Sequence, residues 1–184
     1  MIARLALGIL MLAAASLPAS AATLDDFVGI YVGSASDYDG NDLKTGARDI
    51  DMIITPHQGR GFKISLVSVL LVDGRRDTRG VRRRAFEAIF TKRDKRALYV
   101  SERPYDPFEE SKEAELFSGD PLEWAYIEGD SLYVNTLAIL ADGRYELQVF
   151  KRTLVKGGMH VAYQRIRDGV LRRRIDGRLV RVDQ

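Results

Sequence analysis

Short runs of β-type composition recur about every ten residues along most of this chain, with Gly or Asp between them. The runs lie at 27–33, 47–55, 61–72, 81–90, 97–101, 123–127, 131–140, 144–153, 159–166, 170–175 and 178–182. Several connections are tight-hairpin sequences: Glu128-Gly129-Asp130, Ala141-Asp142-Gly143, Lys156-Gly157-Gly158, Asp168-Gly169 and Asp176-Gly177. Gly and Asp reach positive φ there at low steric cost. Successive hairpins make an antiparallel meander. A long meander hides its edges by closing into a barrel or folding into two sheets. The expected fold is all-β: an antiparallel up-and-down barrel of about eight to ten strands with one short helix. A β-sandwich is the alternative.

Alternation supports this. In 61–72, Phe62, Ile64, Leu66 and Leu70 share a face with Ser68. In 159–166, Met159, Val161 and Tyr163 oppose His160, Ala162 and Gln164. Runs 27–33 and 131–140 are apolar on both faces, which calls for cover on the outside by a helix, a loop or a partner. The helix is expected near 107–117: Asp106 is an acceptor at the N-cap, Pro107 sits at N1, and Gly119 ends it.

The first 21 residues read as a cleaved export signal: Arg4, then an apolar stretch from Leu5 to Leu17, a break at Pro18, and small residues Ala19-Ser20-Ala21. Thirteen residues at about 1.5 Å each fall short of the roughly 30 Å bilayer core. Residues 22–184 then form a single β-barrel domain, periplasmic or secreted from a bacterium, with no membrane span after cleavage. A chain with no cysteine has no disulfide, thiolate metal site or cysteine nucleophile. No glycine-rich phosphate loop is present. No cofactor, metal or catalytic residue is expected, and the chain is not read as an enzyme.

Other patterns in the sequence are weaker. His57 and His160 are the two histidines and stand far apart. Ser34 lacks the G-x-S-x-G setting of a hydrolase nucleophile. Asp37, Asp39 and Asp42 are spaced like a loose calcium turn, against the alternative of a solvated loop. Asp49 and Asp51 form a same-face carboxylate pair. Charge is segregated: 75–96 holds ten Lys/Arg, 102–130 holds ten Asp/Glu, and 165–181 holds seven Arg. Export argues against nucleic acid as the partner, leaving an anionic envelope component or internal pairing. In Arg82-Arg83-Arg84 and Arg172-Arg173-Arg174, alternation sends at least one guanidinium inward, where it needs an acid or a wet interior.

The segment Phe27-x-Gly29-x-Tyr31 resembles the G-x-W motif on the first strand of lipocalins, with Tyr31 in the Trp position. With the meander and the export signal, the chain is similar to calycin-type (lipocalin- and avidin-like) exported β-barrels. It also resembles small exported bacterial proteins of unassigned function. It lacks the motif Trp, a T-D-Y motif, a long C-terminal helix and a disulfide. The resemblance implies that an arginine such as Arg165 or Arg174 packs across Tyr31. It also implies non-catalytic binding of a small apolar or amphipathic ligand. Tyr31, Trp124, Tyr133, Tyr145 and Tyr163 are the candidate cavity residues. The alternative is a cell-envelope scaffold or protein-interaction module with a filled barrel.

Overall fold

The computed structural model describes residues 21–93, 97–102 and 115–182. Strands β1 (Gly29–Asp39), β2 (Lys44–His57), β3 (Gly61–Leu70), β4 (Arg82–Lys92) and β5 (Leu98–Ser101) form the first half. Strands β6 (Leu122–Glu128), β7 (Ser131–Ile139), β8 (Tyr145–Val155), β9 (Gly158–Arg167) and β10 (Val170–Val182) form the second. Each pairs antiparallel with the next in sequence, and β1 pairs with β10 to close the barrel. The fold is the expected up-and-down barrel and not the sandwich.

A helix of four residues, α1 (Leu24–Phe27), lies under one end of the barrel. Its capping box pairs Thr23 with Asp26. Ala22 N donates to Gly129 O at 3.1 Å, tying the entry to the β6–β7 turn. Phe27 is fully buried and stops this end. The opposite end, where β1 finishes and β2 begins, is here called the mouth. The helix expected at 107–117 lies outside the described residues, except for its end. There a 3-10 turn, Leu116–Ser118, closes at Gly119 with φ 93°.

The closed end is packed and apolar. Tyr31, Met52, Ile54, Phe62, Ile64 and Phe90 are each at most 1% exposed, as are Leu132, Met159 and Leu179. Phe62 stacks on Phe90 with centroids 5.1 Å apart, and Tyr99 meets Phe62 edge-on at 5.5 Å. Burying one such side chain contributes about 1.5–3 kcal/mol, so this half holds the barrel together without any cross-link.

One expected hairpin is absent. Asp176-Gly177 sits inside β10, which joins the runs 170–175 and 178–182. Gly177 faces the interior beside Ala35 of β1, and a Cβ on it would lie 2.4 Å from Ala35 Cβ. This glycine serves the close approach of two strands and not a turn. Asp168-Gly169 does make its turn, with φ of 47° and 76° as a two-residue type I′ hairpin needs.

Candidate functional site

Strand register decides which side chains enter the barrel. Counting from the buried residues of the closed end, β1 sends Asp37 into the mouth and β2 sends Arg48. β4 sends Arg84 and Phe86, register partners of Ser68 and Leu66 on β3. β8 sends Glu146, Gln148 and Phe150, while β9 sends Tyr163, Arg165 and Arg167. β10 contributes Arg173, the partner of Arg165. The mouth is therefore polar and rich in arginine above a dry, apolar base.

Part of this charge is neutralised inside. Asp37, 4% exposed, accepts from Arg48 Nη2 at 2.5 Å and from Arg173 Nε at 2.7 Å, with a second contact from Arg173 Nη2. Arg48 Nη1 also donates to Ser68 Oγ at 2.7 Å. Burial pushes the Asp37 carboxyl up, but the hydrogen bonds from Arg173 and Arg48 outweigh it and hold the group below its usual range. Glu146 accepts from Arg167 Nη2 at 2.8 Å and from Gln148 Nε2 at 2.9 Å. It too is held below the ordinary value: burial raises it, and the bonds from Arg167 and Gln148 prevail. Tyr163 donates to Gln148 Oε1 at 3.2 Å and packs on Phe150 at 4.5 Å between centroids. Burial raises its hydroxyl pKa, against the nearby cations Arg165, Arg173 and Arg84. Arg84 comes from β4, on the wall opposite β9, so its charge reaches Tyr163 across the lumen.

The remaining cations have no acid. Arg152 on β8 is 3% exposed and has no carboxylate partner among the described residues. Its Nε contacts Met52 Sδ at 3.3 Å on β2, and its Nη1 is buried without a hydrogen bond. Its guanidinium lies 5.6 Å from the centre of the Phe150 ring, on the boundary between base and mouth. Burial alone lowers its pKa to about 10, and it stays charged at neutral pH. Arg165 makes no ion pair among the described residues, and its Nε is buried without a partner. A buried guanidinium without a counter-charge costs several kcal/mol. Arg152→Met, which keeps an unbranched apolar stem and removes the charge, is expected to raise the unfolding free energy by about 2 kcal/mol. Chemical denaturation measures this, and a loss of stability would contradict it.

The five aromatic candidates do not converge on one cavity. Tyr31 is core, fully buried at the closed end. Its hydroxyl donates to Phe27 O at 2.9 Å and accepts from Arg181 Nε at 3.1 Å and Nη2 at 2.7 Å. The arginine across this aromatic is thus Arg181, 5.3 Å from the ring centre, and not Arg165 or Arg174. Arg165 lies in the mouth, and Arg174 is outside, over Tyr38 at 4.3 Å. Trp124 pairs with Val100 and Asn135 on the outer face. Tyr133 stacks on Tyr126 outside at 4.8 Å, and Tyr145 is 39% exposed at the rim. Tyr163 is the one candidate that faces the mouth.

The three aspartates of the calcium-like turn have separate uses. Asp37 points inward to its arginines. Asp39 caps the β1–β2 turn, accepting from the backbone of Asn41 and Leu43, and Asp42 pairs with Arg174 at 2.6 Å. Among the described residues no cluster of side chains fit to hold a metal ion is present. Asp49 and Asp51 share the outer face with Arg76 between them, at 3.8 and 3.2 Å. Ser34 is an outward residue in mid-strand. His57 approaches Glu102 at 3.7 Å, and His160 pairs across strands with Asp176 at 3.1 Å.

Arg152 and Arg84 were not singled out for the site from sequence. Carrying the alternation Phe90, Ala88, Phe86, Arg84 along β4 and Leu154, Arg152, Phe150 along β8 would have found them. No family model matches the chain, and no curated protein matches it.

Proposed function

We propose that this chain is a non-catalytic, exported binding barrel that holds a small amphipathic ligand in its mouth. The carrying observation is Phe86: it stands on the inward face of β4 and is 38% exposed, on a stretch of the strand that β5, paired only at Phe90–Lys92, does not cover. The Phe150–Tyr163 pair offers a second apolar surface on the far wall. The base is filled, so a ligand sits high in the barrel and is compact. The arginine over Tyr31 favours the calycin-type resemblance, and the leader at 1–21, outside the described residues but for Ala21, favours the periplasm.

Native mass spectrometry of protein expressed with its own leader and recovered from the periplasm tests this. The expected species begins at Ala22 and carries a small-molecule adduct that organic extraction removes. A cytoplasmic chain with its leader intact overturns the location. A bare mass, with no thermal shift on adding short-chain amphiphiles, overturns the binding.

A second reading rests on the outer surface. Val32, Ile53, Val180 and Val182 are 40%, 43%, 55% and 42% exposed. Register sets Ile30 between Ile53 and Val182, and Val32 beside Val180. This apolar stripe across β2, β1 and β10 suits an envelope scaffold or interaction module. The double variant Val32→Lys, Val180→Lys is expected to abolish any partner cross-linking in intact cells while leaving ligand adducts in place. Unchanged cross-linking removes this reading.

A further inference from the structure

The mouth carries more cation than its own acids neutralise. Inward-facing Arg48, Arg84, Arg152, Arg165, Arg167 and Arg173 stand against Asp37, Glu123 and Glu146. Glu123 of β6 accepts from Thr136 Oγ1 at 3.4 Å and makes no ion pair with these arginines. Asp37 takes up Arg48 and Arg173, and Glu146 takes up Arg167. Arg84, Arg152 and Arg165 are left without an ion pair among the described residues, and two of them hold a buried N–H with no acceptor. On the outside Arg76 bridges two aspartates, Arg144 holds Asp142 and Arg174 holds Asp42, while others such as Arg82 and Arg83 stand in solvent. What sets Arg84, Arg152 and Arg165 apart from the unpaired surface arginines is that they face the interior, where the Phe150–Tyr163 pair and Phe86 also lie.

Resting on the binding role proposed above, we infer that the ligand is an anion: a compact amphiphile whose carboxylate or phosphate docks between Arg165 and Arg84, with Arg152 as a positive floor beneath. Arg165 and Arg84 approach from opposite walls, which suits a head group with several acceptor oxygens. Arg152, below the Phe150 ring, acts through its charge, strengthened by its dry surroundings. The apolar part of the ligand lies against Phe86 and the Phe150–Tyr163 pair. A bound anion supplies the counter-charge that the fold omits. The filled base admits no long tail, so the head group and not the chain length carries recognition.

Calorimetric titration of the mature protein with octanoate, octyl phosphate and neutral octyl glucoside, all below micelle formation, tests this. The two anions are expected to bind at least tenfold more tightly than the glucoside. Arg165→Gln and Arg84→Gln are each expected to weaken the anions about tenfold and leave the glucoside unchanged. Arg84 is exposed, so its replacement leaves the fold intact. Arg152→Met weakens the anions less, and raising the salt weakens them in every form. Inorganic phosphate is expected to compete with octyl phosphate, which shows recognition of the head itself. Vesicles of phosphatidylglycerol that bind the protein more tightly than octyl phosphate would replace a free ligand with a lipid surface, and so overturn this assignment. Equal binding of anions and glucoside, unaffected by Arg165→Gln, overturns the anion assignment and leaves a binding barrel standing. No binding of any of the three by a protein that also carries no adduct overturns the binding role itself.

Discussion

Tyr31→Ala is expected to lower the unfolding free energy by about 3–5 kcal/mol, as removal of a large buried aromatic does. More than volume is lost. The Tyr31 hydroxyl joins Phe27 O to Arg181, and Arg181 Nη2 also donates to Asp26 O at 2.6 Å and Val28 O at 2.7 Å. One side chain from β1 and one from β10 therefore fasten α1 beneath the barrel, at the seam where the first and last strands meet. Tyr31→Phe separates the contributions. It keeps the ring and leaves Phe27 O and Arg181 short of a partner, for about 1–2 kcal/mol. Equilibrium denaturation of the two variants checks both figures. Equal losses would place the whole effect in the hydroxyl, and a loss below about 1 kcal/mol for the alanine variant would contradict the clasp.

Both halves of this clasp stood in the sequence with different visibility. The segment around Tyr31 stands out by its likeness to a known first-strand motif. Its arginine does not, because seven arginines lie within 165–181 and only register tells them apart. Position 181 is inward because it pairs with Tyr31, which requires β10 to run unbroken through Asp176-Gly177. The turn-like pair there hid the continuity: Gly177 has turn composition but is needed where β1 and β10 press together. The strand succession, by contrast, was legible, since hairpin glycines and alternating apolar residues are local signals. The aromatic candidates failed to converge for the same reason as the arginine. Trp124 and Ala125 are adjacent in sequence, and one step of register sends the first outside and the second into the core. The polar mouth was half legible. The arginine triplets forced some guanidinium inward, and the structure shows Arg84 and Arg173 as those inward members. That Arg173 meets Asp37, 136 residues away in the chain, is a contact only the closed barrel makes.

This contact carries the second large effect. Asp37→Asn is expected to cost about 3–5 kcal/mol, because it leaves the guanidiniums of Arg48 and Arg173 in the barrel without their counter-charge. Arg48 has little water to turn to, with a side chain 8% exposed, and Arg173 is 24% exposed. The loss also sets a pH dependence. The Asp37 carboxyl is held below its usual range in the folded state, while an unfolded Asp titrates near about 3.9. Its contribution is complete above the unfolded value and is lost as the pH falls through the folded one. Stability is therefore expected to decline on acidification below about pH 4. Glu146, held low by Arg167, adds to the same decline. Denaturation midpoints measured from pH 7 to pH 2 should fall steeply for the wild type and less steeply for Asp37→Asn. They should flatten further for the double variant with Glu146→Gln. If the slope of Asp37→Asn matches the wild type, the carboxylate is not what holds the two arginines. If the variant recovers its stability on adding millimolar phosphate, an external anion has taken the place of the side chain, and the mouth accepts such an anion where the fold has left room for its charge.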